Sequence, residues 1–331
     1  MIVSEFTDFW KDFERYFGKR CLVDKCRIFL DSCREYRRSL TPCPMYGLLR
    51  FDRLSRDERA KYVTLGSLLK FARRVNDSVK EDAIFDKCSF HRLFADFTGR
   101  SVLDLRTVDR EAVAVFAKKA QSVFVKPRRG TCGVGCSLVD CATDEAITAL
   151  WAKCAGTDGL AEEVIVQHAD LAALNPLGVN PIRIVTFLGP DGAVRFPCGC
   201  ATIRIGVDDS PVVNFARGAL EAAVELETGR IFTAAIDAFG ERYERHPVSG
   251  APIVGQVIPC GRELADFAAK LARVVPEVPF VGWDLTVGAD GRLVVIEGNP
   301  IPDITNEQKL LGRGLQPVLD ALIEELYINM L

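Results

Sequence analysis

Hydrophobic and polar positions along the chain follow two different periods. Over residues 4–75, aromatic and aliphatic side chains recur at three- and four-residue steps, as in Phe6, Phe9, Trp10, Phe13, Tyr16 and Phe17, the spacing of a helix face. Thr41-Pro-Cys-Pro44 divides this helical region, since proline lacks the amide hydrogen and crowds the turn before it. A further helix is expected after Ser55, where Asp57 and Glu58 occupy the first turn and suit the positive end of the helix dipole. From residue 121 the texture changes. Short runs with strand character, 123–126, 136–140, 161–167, 183–188, 200–205, 281–287 and 292–297, alternate with turns. Thr143 caps an interspersed helix, with Asp144 and Glu145 in its first turn and Ile147, Leu150, Trp151 and Cys154 on one face; other helices are expected over 262–274 and 314–327. The pattern is α+β, with no internal repeat and no long linker.

Length and composition narrow the class. The chain has 331 residues, room for two or three lobes at ~100–200 residues each. With 48% hydrophobic and 26% charged residues, intrinsic disorder is excluded. The net charge of −3 argues against a nucleic-acid partner for the chain as a whole. Charge is nevertheless uneven: residues 1–75 hold 17 Lys/Arg against 10 Asp/Glu, leaving 25 against 35 elsewhere. That basic helical part either packs on the acidic remainder or docks an anionic substrate or partner. No apolar run reaches the ~18 residues of a membrane span, and the start lacks a basic-then-apolar leader. The expectation is a cytoplasmic protein, its twelve cysteines reduced and often buried. Cys132 and Cys136, or Cys198 and Cys200, are near enough to share a metal, but none of His91, His168 and His246 adjoins them, which argues against structural zinc. Oligomeric state has no signature in the sequence.

The segment from Val281 to Pro300 carries the first chemical signal. Asp290-Gly291 between two strand-like runs is a two-residue hairpin signal, since a type I′ turn needs positive φ at both central positions. That loop pairs Ala289 with Arg292, Val287 with Val294 and Leu285 with Ile296. It also sets Asp284 opposite Glu297. Like charges directly across a strand pair destabilise it, so something positive belongs between them. Asn299 falls on the same face two residues further on. Two carboxylates and an amide oxygen suit Mg²⁺, which takes hard oxygen ligands and leaves positions for phosphate. A solvated polar face, or a three- to five-residue loop with a shifted register, is the alternative.

The second signal is the run Val123-Phe-Val-Lys-Pro-Arg-Arg-Gly-Thr-Cys-Gly-Val-Gly-Cys-Ser137. Its lysine precedes the glycines, and no Gly-Lys-Ser/Thr opens a helix, so it is not a Walker A loop. It reads as a β-hairpin flap whose backbone N–H groups close over phosphate, with Lys126 supplying a point charge at a strand end. A merely mobile glycine loop is the plainer alternative. Arg128 and Arg129 either contact phosphate or keep the flap soluble.

Taken in order, these segments resemble the ATP-grasp superfamily, and within it the sugar-transfer-associated ATP-grasp proteins. The resemblance spans residues 75–310. It rests on Asp86-Lys87 before a helix, Gly99-Arg100 through Asp104, Val125-Lys126-Pro127 with the flap, and Glu162-Glu163 before Gln167-His168. Further along it rests on Asn180-x-x-Arg183, Ile203-Arg204-Ile-Gly206, Glu227-Thr-Gly229, His246-Pro247, Gly282-Trp283-Asp284 and Glu297-Gly-Asn299.

The resemblance implies two α+β lobes clamping ATP, preceded by a helical N-terminal region. The divisions are 1–75 (helical), 76–120 (a preceding segment), 121–168 (small lobe with the flap) and 169–331 (large lobe with the metal site). It implies that Lys87 and Lys126 contact ATP phosphates, with Arg128, Gly133 and Gly135 on the closing flap, and that Glu162, Glu163 and Val164 form the hinge holding the adenine. Asp284, Glu297 and Asn299 would hold Mg²⁺. Arg183 and Arg204, with Lys126, would serve catalysis at the transferred phosphate, although either arginine also reads as a structural ion-pair partner. The implied activity is an ATP-dependent carboxylate–amine ligase working through an acyl phosphate. The alternative is a small-molecule kinase on the same scaffold. Partners would be small-molecule carboxylates and amines, sugar- or carrier-linked ones included. His246 reads as catalytic or as a turn residue. The sequence departs from the family at Asn180-Pro-Ile-Arg183, where relatives have Asn-Thr-x-Arg, and at Val213-Asn214 and Gly218-Ala219, where relatives have an Asp-Asn pair and two glycines; these bear on the substrate.

Overall fold

A computed structural model describes residues 2–130 and 133–328; Cys132 and the side chains of Phe6 and Phe9 lie outside what is described. The N-terminal region is helical: α1 (Ile2–Phe17), α2 (Leu22–Ser39), α3 (Cys43–Leu48), α4 (Arg56–Arg59), α5 (Leu65–Val75), α6 (Ser78–Phe85), α7 (Lys87–Leu93) and α8 (Ala95–Thr98). The break falls where the prolines stand, Pro42 serving as the cap of α3. Ser55 starts α4 with a capping box, its hydroxyl accepting from the Glu58 N–H and the Glu58 carboxylate from the Ser55 N–H. That satisfies two otherwise orphan donors. Phe13, Phe17, Ile28, Tyr46 and Phe51 form a core of their own. Arg59 pairs within the region, with Asp31 at 2.7 Å and Glu35 at 3.2 Å. The region is seated on the rest by the Tyr16 hydroxyl on the Ala238 carbonyl (2.5 Å), Arg15 over the Phe239 ring (5.0 Å), and the Gln308 amide bracketing the Val63 backbone (2.7 and 3.0 Å).

The small lobe follows as β1 (Val102–Asp104), α9 (Arg110–Ala120), β2 (Ser122–Pro127), β3 (Ser137–Asp140), α10 (Asp144–Cys154) and β4 (Gly159–Glu163). Its antiparallel sheet runs β1-β4-β2-β3. Helices α9 and α10 close one face over Val113, Ala117, Val123, Ile147, Leu150 and Ala161. The small sheet thus takes in β1, and α9 packs on it, both from the segment before residue 121. Strand β4 stops at Glu163, short of the Gln167 expected from the pattern. Beyond it the chain leaves the small sheet and runs along the large one, where the Ala289 N–H bonds the Val166 carbonyl and the His168 N–H the Val287 carbonyl, each at 2.8 Å.

The large lobe contains α11 (Ala169–Ala172), β5 (Ile182–Leu188), β6 (Val194–Arg195), β7 (Ala201–Ile205), β8 (Leu220–Val224), β9 (Ala235–Ile236), β10 (Arg242–Tyr243), α12 (Leu264–Ala272), β11 (Phe280–Val287), β12 (Leu293–Asn299), α13 (Thr305–Leu311) and α14 (Gln316–Ile328). Its sheet runs β10-β9-β8-β7-β5-β11-β12, with β6 on β5. Alternate residues separate two cores. Ile182, Ile184, Trp283, Leu285 and Val287 pack toward α12, while Val185, Phe187 and Phe280 pack under α5, α13 and α14. Strand β8 is not legible in Leu220-Glu-Ala-Ala-Val224, because alanine and glutamate are poor strand formers; pairing with β7 over five residues decides it.

The β11–β12 hairpin corrects the expected register. Val287 faces Leu293 and Leu285 faces Val295, because Ala289-Asp290-Gly291 forms a three-residue loop, closed by the Gly288 N–H on the Arg292 carbonyl (2.8 Å). Gly291 takes the left-handed position at φ +79°, the usual end of such a loop, and the Asp290 carboxylate accepts from the Arg292 N–H (3.1 Å). A bulge between Asp284 and Leu285 then leaves Ile296 unpaired and restores the count. Asp284 faces Glu297 and Gly282 faces Asn299 after all.

Candidate active site

Register places four polar residues side by side across the large sheet: Thr202 on β7, Arg183 on β5, Asp284 on β11 and Glu297 on β12. Arg183 and Asp284 are both buried. They share two hydrogen bonds, Nε to Oδ1 at 2.5 Å and Nη2 to Oδ2 at 2.8 Å. Arg204 reaches Asp284 and Glu221, each at 3.4 Å. Glu221 in turn accepts from the Thr202 hydroxyl (2.6 Å) and the Asn306 amide (2.7 Å). Burial alone would raise the Asp284 carboxyl, but the two guanidiniums outweigh it and hold it below the usual range. Glu307, at the base of this network on α13, is displaced the other way: burial and the Glu221 carboxylate push its carboxyl up, and its Oε2 has no partner among the described residues.

Asp284, Glu297 and Asn299 share one face of adjacent strands, and Asn299 Oδ1 accepts the Ile301 N–H at 3.1 Å. Two carboxylates and an amide oxygen are hard donors of the kind Mg²⁺ prefers. Among the described residues no cluster of three or more His, Cys, Asp or Glu side chains could hold a metal. The buried Cys198 and Cys200 have thiols pushed up by burial, Cys200 to about 12, the opposite of what thiolate ligation requires.

The small lobe presents a second charged cluster. Lys126 is buried with its Nζ 2.7 Å from Glu162 Oε1, and Glu162 Oε2 lies 3.0 Å from both His91 Nε2 and Arg100 Nε. Arg100 also donates to the Val295 and Ile296 carbonyls (2.9 and 3.1 Å), tying Glu162 to the bulge in β12. Burial would raise the Glu162 carboxyl; the Lys126 and Arg100 charges and the His91 bond hold it far below normal. Burial pushes the His91 imidazole down, keeping it neutral. Lys87 Nζ donates to the Gly130 carbonyl at 2.8 Å, and burial lowers its ammonium.

Between the lobes lies a cleft of about 400 Å³. One end is apolar, bordered by Phe124, Leu138, Val164, Val166 and Leu177, and the other gathers Lys87, Lys126, Arg204, Asp284 and Glu297. Gly133 of the flap is at φ +65°, and a Cβ there would come within 2.3 Å of Val212 Cγ1 on the large lobe, so the flap lies directly on the opposite wall. A second cavity of about 580 Å³ opens on the far side of the charged end, sharing Lys87, Gly130, Arg204, Asn214 and Glu297 with the first.

Of the residues singled out from sequence, Lys87, Lys126, Gly133, Glu162, Glu163, Val164, Arg204, Asp284 and Glu297 border the cleft. Arg183 and Asn299 face the second cavity. Gly135 sits within the flap against Pro127. The Glu163 carboxylate is held by the Ser101 N–H (2.9 Å) and Lys119 (3.4 Å). Arg128 does not join the group: it is paired with Asp86 and, at 2.9 Å, Asp104. Arg129 pairs with Asp82. His246 is a turn residue, its Nδ1 accepting from the Val248 and Ser249 N–H groups and its Nε2 on the Gly206 carbonyl. His91 carries no role in the sequence reading, because nothing in local spacing connects it to Glu162, 71 residues away.

The model of the sugar-transfer associated ATP-grasp family matches residues 70–324. The chain belongs to that family. No protein of curated function matches it by sequence. Among solved structures it is similar to the ATP-grasp ligase PsnB complexed with a phosphomimetic variant of its minimal precursor, Mg and ADP, at 17% identity, covering 79% of this chain and 66% of that one, TM-score 0.45. It is also similar to the ADP complex of PurK, an N5-carboxyaminoimidazole ribonucleotide synthetase (11%; 74% and 53%; 0.45). A third is D-alanyl-alanine synthetase A from Vibrio cholerae O1 biovar eltor (13%; 74% and 66%; 0.45). The chain spans less than two thirds of each. The match to the ATP-grasp family begins after α1–α4, which lie outside it. Among the described residues no helix is long and apolar enough to cross a membrane.

Proposed function

We propose that this ATP-grasp protein is an ATP-dependent ligase joining a carboxylate to an amine. One observation carries the proposal: cationic and anionic side chains from both lobes converge where an apolar-ended cleft meets a second cavity. The adenine occupies the apolar end beside Val164, and the phosphates extend toward Lys126 and Lys87 under the flap, whose backbone N–H groups close over them. Asp284, Glu297 and Asn299 would hold Mg²⁺, which would neutralise phosphate charge.

The chemistry follows from these positions. A substrate carboxylate oxygen attacks the γ-phosphorus, the bond to the bridging oxygen breaks with its electron pair leaving on ADP, and an acyl phosphate forms. The amine nitrogen then attacks the acyl carbon, phosphate departs, and the ammonium proton passes to solvent. Arg204, which lines both cavities, would offset charge on the oxygens in transfer, and its planar donors match phosphate and carboxylate alike. Arg183 orients Asp284 from behind. Such catalysis is positioning and charge neutralisation. Incubation with ATP, Mg²⁺ and pooled acids and amines tests it: phosphate release with a new amide is the expected result. ADP with a phosphorylated product and no free phosphate would show a kinase instead.

A further inference from the structure

The second cavity has a polar and an apolar part. At its junction with the nucleotide cleft it meets Lys87, Arg204, Asn214 and Glu297, with Arg183, Asn299, Asp303 and Asn306 also in the lining; Met45, Leu48, Leu68, Phe215 and Phe239 supply its apolar part. Met45 and Leu48 belong to α3, and Asp12, Arg15 and Tyr16 of α1 complete the wall. These helices lie outside the family match, so this wall is supplied by a part of the chain that the family model does not describe. It is also firmly placed, through the Tyr16 hydroxyl on Ala238 and Arg15 over Phe239. The volume, about 580 Å³, is that of a small-molecule site.

We propose that this cavity binds the acid to be activated, and that the acid has an aliphatic or aromatic body with its carboxylate directed at Arg204 and Lys87. The inference rests on the ligase reading above and names its substrate class. A sugar acid fits less well, because hydroxyls laid against leucine, methionine and phenylalanine lose water without gaining partners; of the polar side chains on that wall, Asp12, Arg15 and Tyr16, the Tyr16 hydroxyl is already bonded to Ala238 and Arg15 lies over Phe239. An apolar body gains by leaving water there, and the carboxylate meets its cations at the one place where the transferred phosphate is also within reach.

The probes are octanoate and 3-phenylpropionate against glutamate, malate and glucuronate, each with ATP, Mg²⁺ and hydroxylamine. Hydroxylamine nitrogen replaces phosphate on the acyl carbon, giving a hydroxamate and inorganic phosphate. We expect kcat/KM for hydroxamate formation to be at least about tenfold higher for the apolar acids, the scale on which an apolar pocket discriminates. Leu48→Trp fills the cavity and should raise the KM for octanoate by a similar factor, with binding of a non-hydrolysable ATP analogue unchanged. Ala216→Trp, at an exposed position on the same rim, serves the same purpose should Leu48→Trp not fold. Equal or better turnover of the polar acids, no hydroxamate from either apolar acid, or indifference to the tryptophan in a folded variant each overturns the inference while leaving the nucleotide site standing. Failure of the unaltered protein to bind the ATP analogue would overturn the ligase reading, and this inference with it.

Discussion

Arg183 and Asp284 face each other across β5 and β11 and share two hydrogen bonds inside the large lobe. Asp284 is therefore part of the framework as well as of the proposed metal site, whereas Glu297, its neighbour on β12, is only partly buried. Asp284→Asn should cost about 3–5 kcal/mol of stability, because it leaves a buried guanidinium without its counter-charge, and should abolish turnover. Glu297→Gln should abolish turnover with a much smaller stability loss. Denaturant titration beside phosphate-release assays separates the two; equal stability losses would contradict the assignment.

Glu162 in the small lobe gathers Lys126, His91 and Arg100, and Arg100 carries the cluster on to the Val295 and Ile296 carbonyls of the large lobe. Its carboxyl is lowered, so its contribution is present above the ordinary value of 4.5 and is lost as pH falls through the folded value. Glu162→Gln should cost about 3–5 kcal/mol at neutral pH and should flatten the acid limb of the stability profile. A variant as steeply acid-sensitive as the unaltered protein would show that other carboxylates set that limb.

Glu307 makes the opposite prediction. Its carboxyl is raised, so its contribution is full below the ordinary value of 4.5 and declines as pH rises through the raised folded value. Thermal melts across neutral pH should show stability falling with rising pH, and Glu307→Gln should remove that slope. An unchanged slope would locate it elsewhere.

Gly133 combines φ +65° with contact against Val212. Gly133→Ala should strain the closed flap by about 1–2 kcal/mol, raising the KM for ATP roughly tenfold while the melting temperature stays within error. Adding Val212→Ala should recover part of the loss, by removing the steric component but not the backbone one. Full recovery would mean that φ carries no cost there.

Local pattern determined a good deal here. Alternation located β2, β3, β5, β7, β11 and β12 to within a residue or two, because a half-buried strand writes its period directly into neighbouring positions. The pairing of Asp284 with Glu297 was legible too, but by two offsetting steps: a loop one residue longer than expected and a bulge at Ile296. Spacing along one strand cannot report a residue that drops out of the ladder, so only the folded hairpin shows that Ile296 turns to the nucleotide cleft. Glu162 was singled out as a hinge residue, yet its partners lie 62 and 71 positions away in sequence. Arg183 and Asp284 are separated by 101. The sequence by itself determined the elements and the residue types that could serve phosphate and metal, since both are local properties. Tertiary structure alone decided which charges meet, which side of the sheet they share, and that the N-terminal helices wall a second cavity, because those depend on the path of the chain between distant positions.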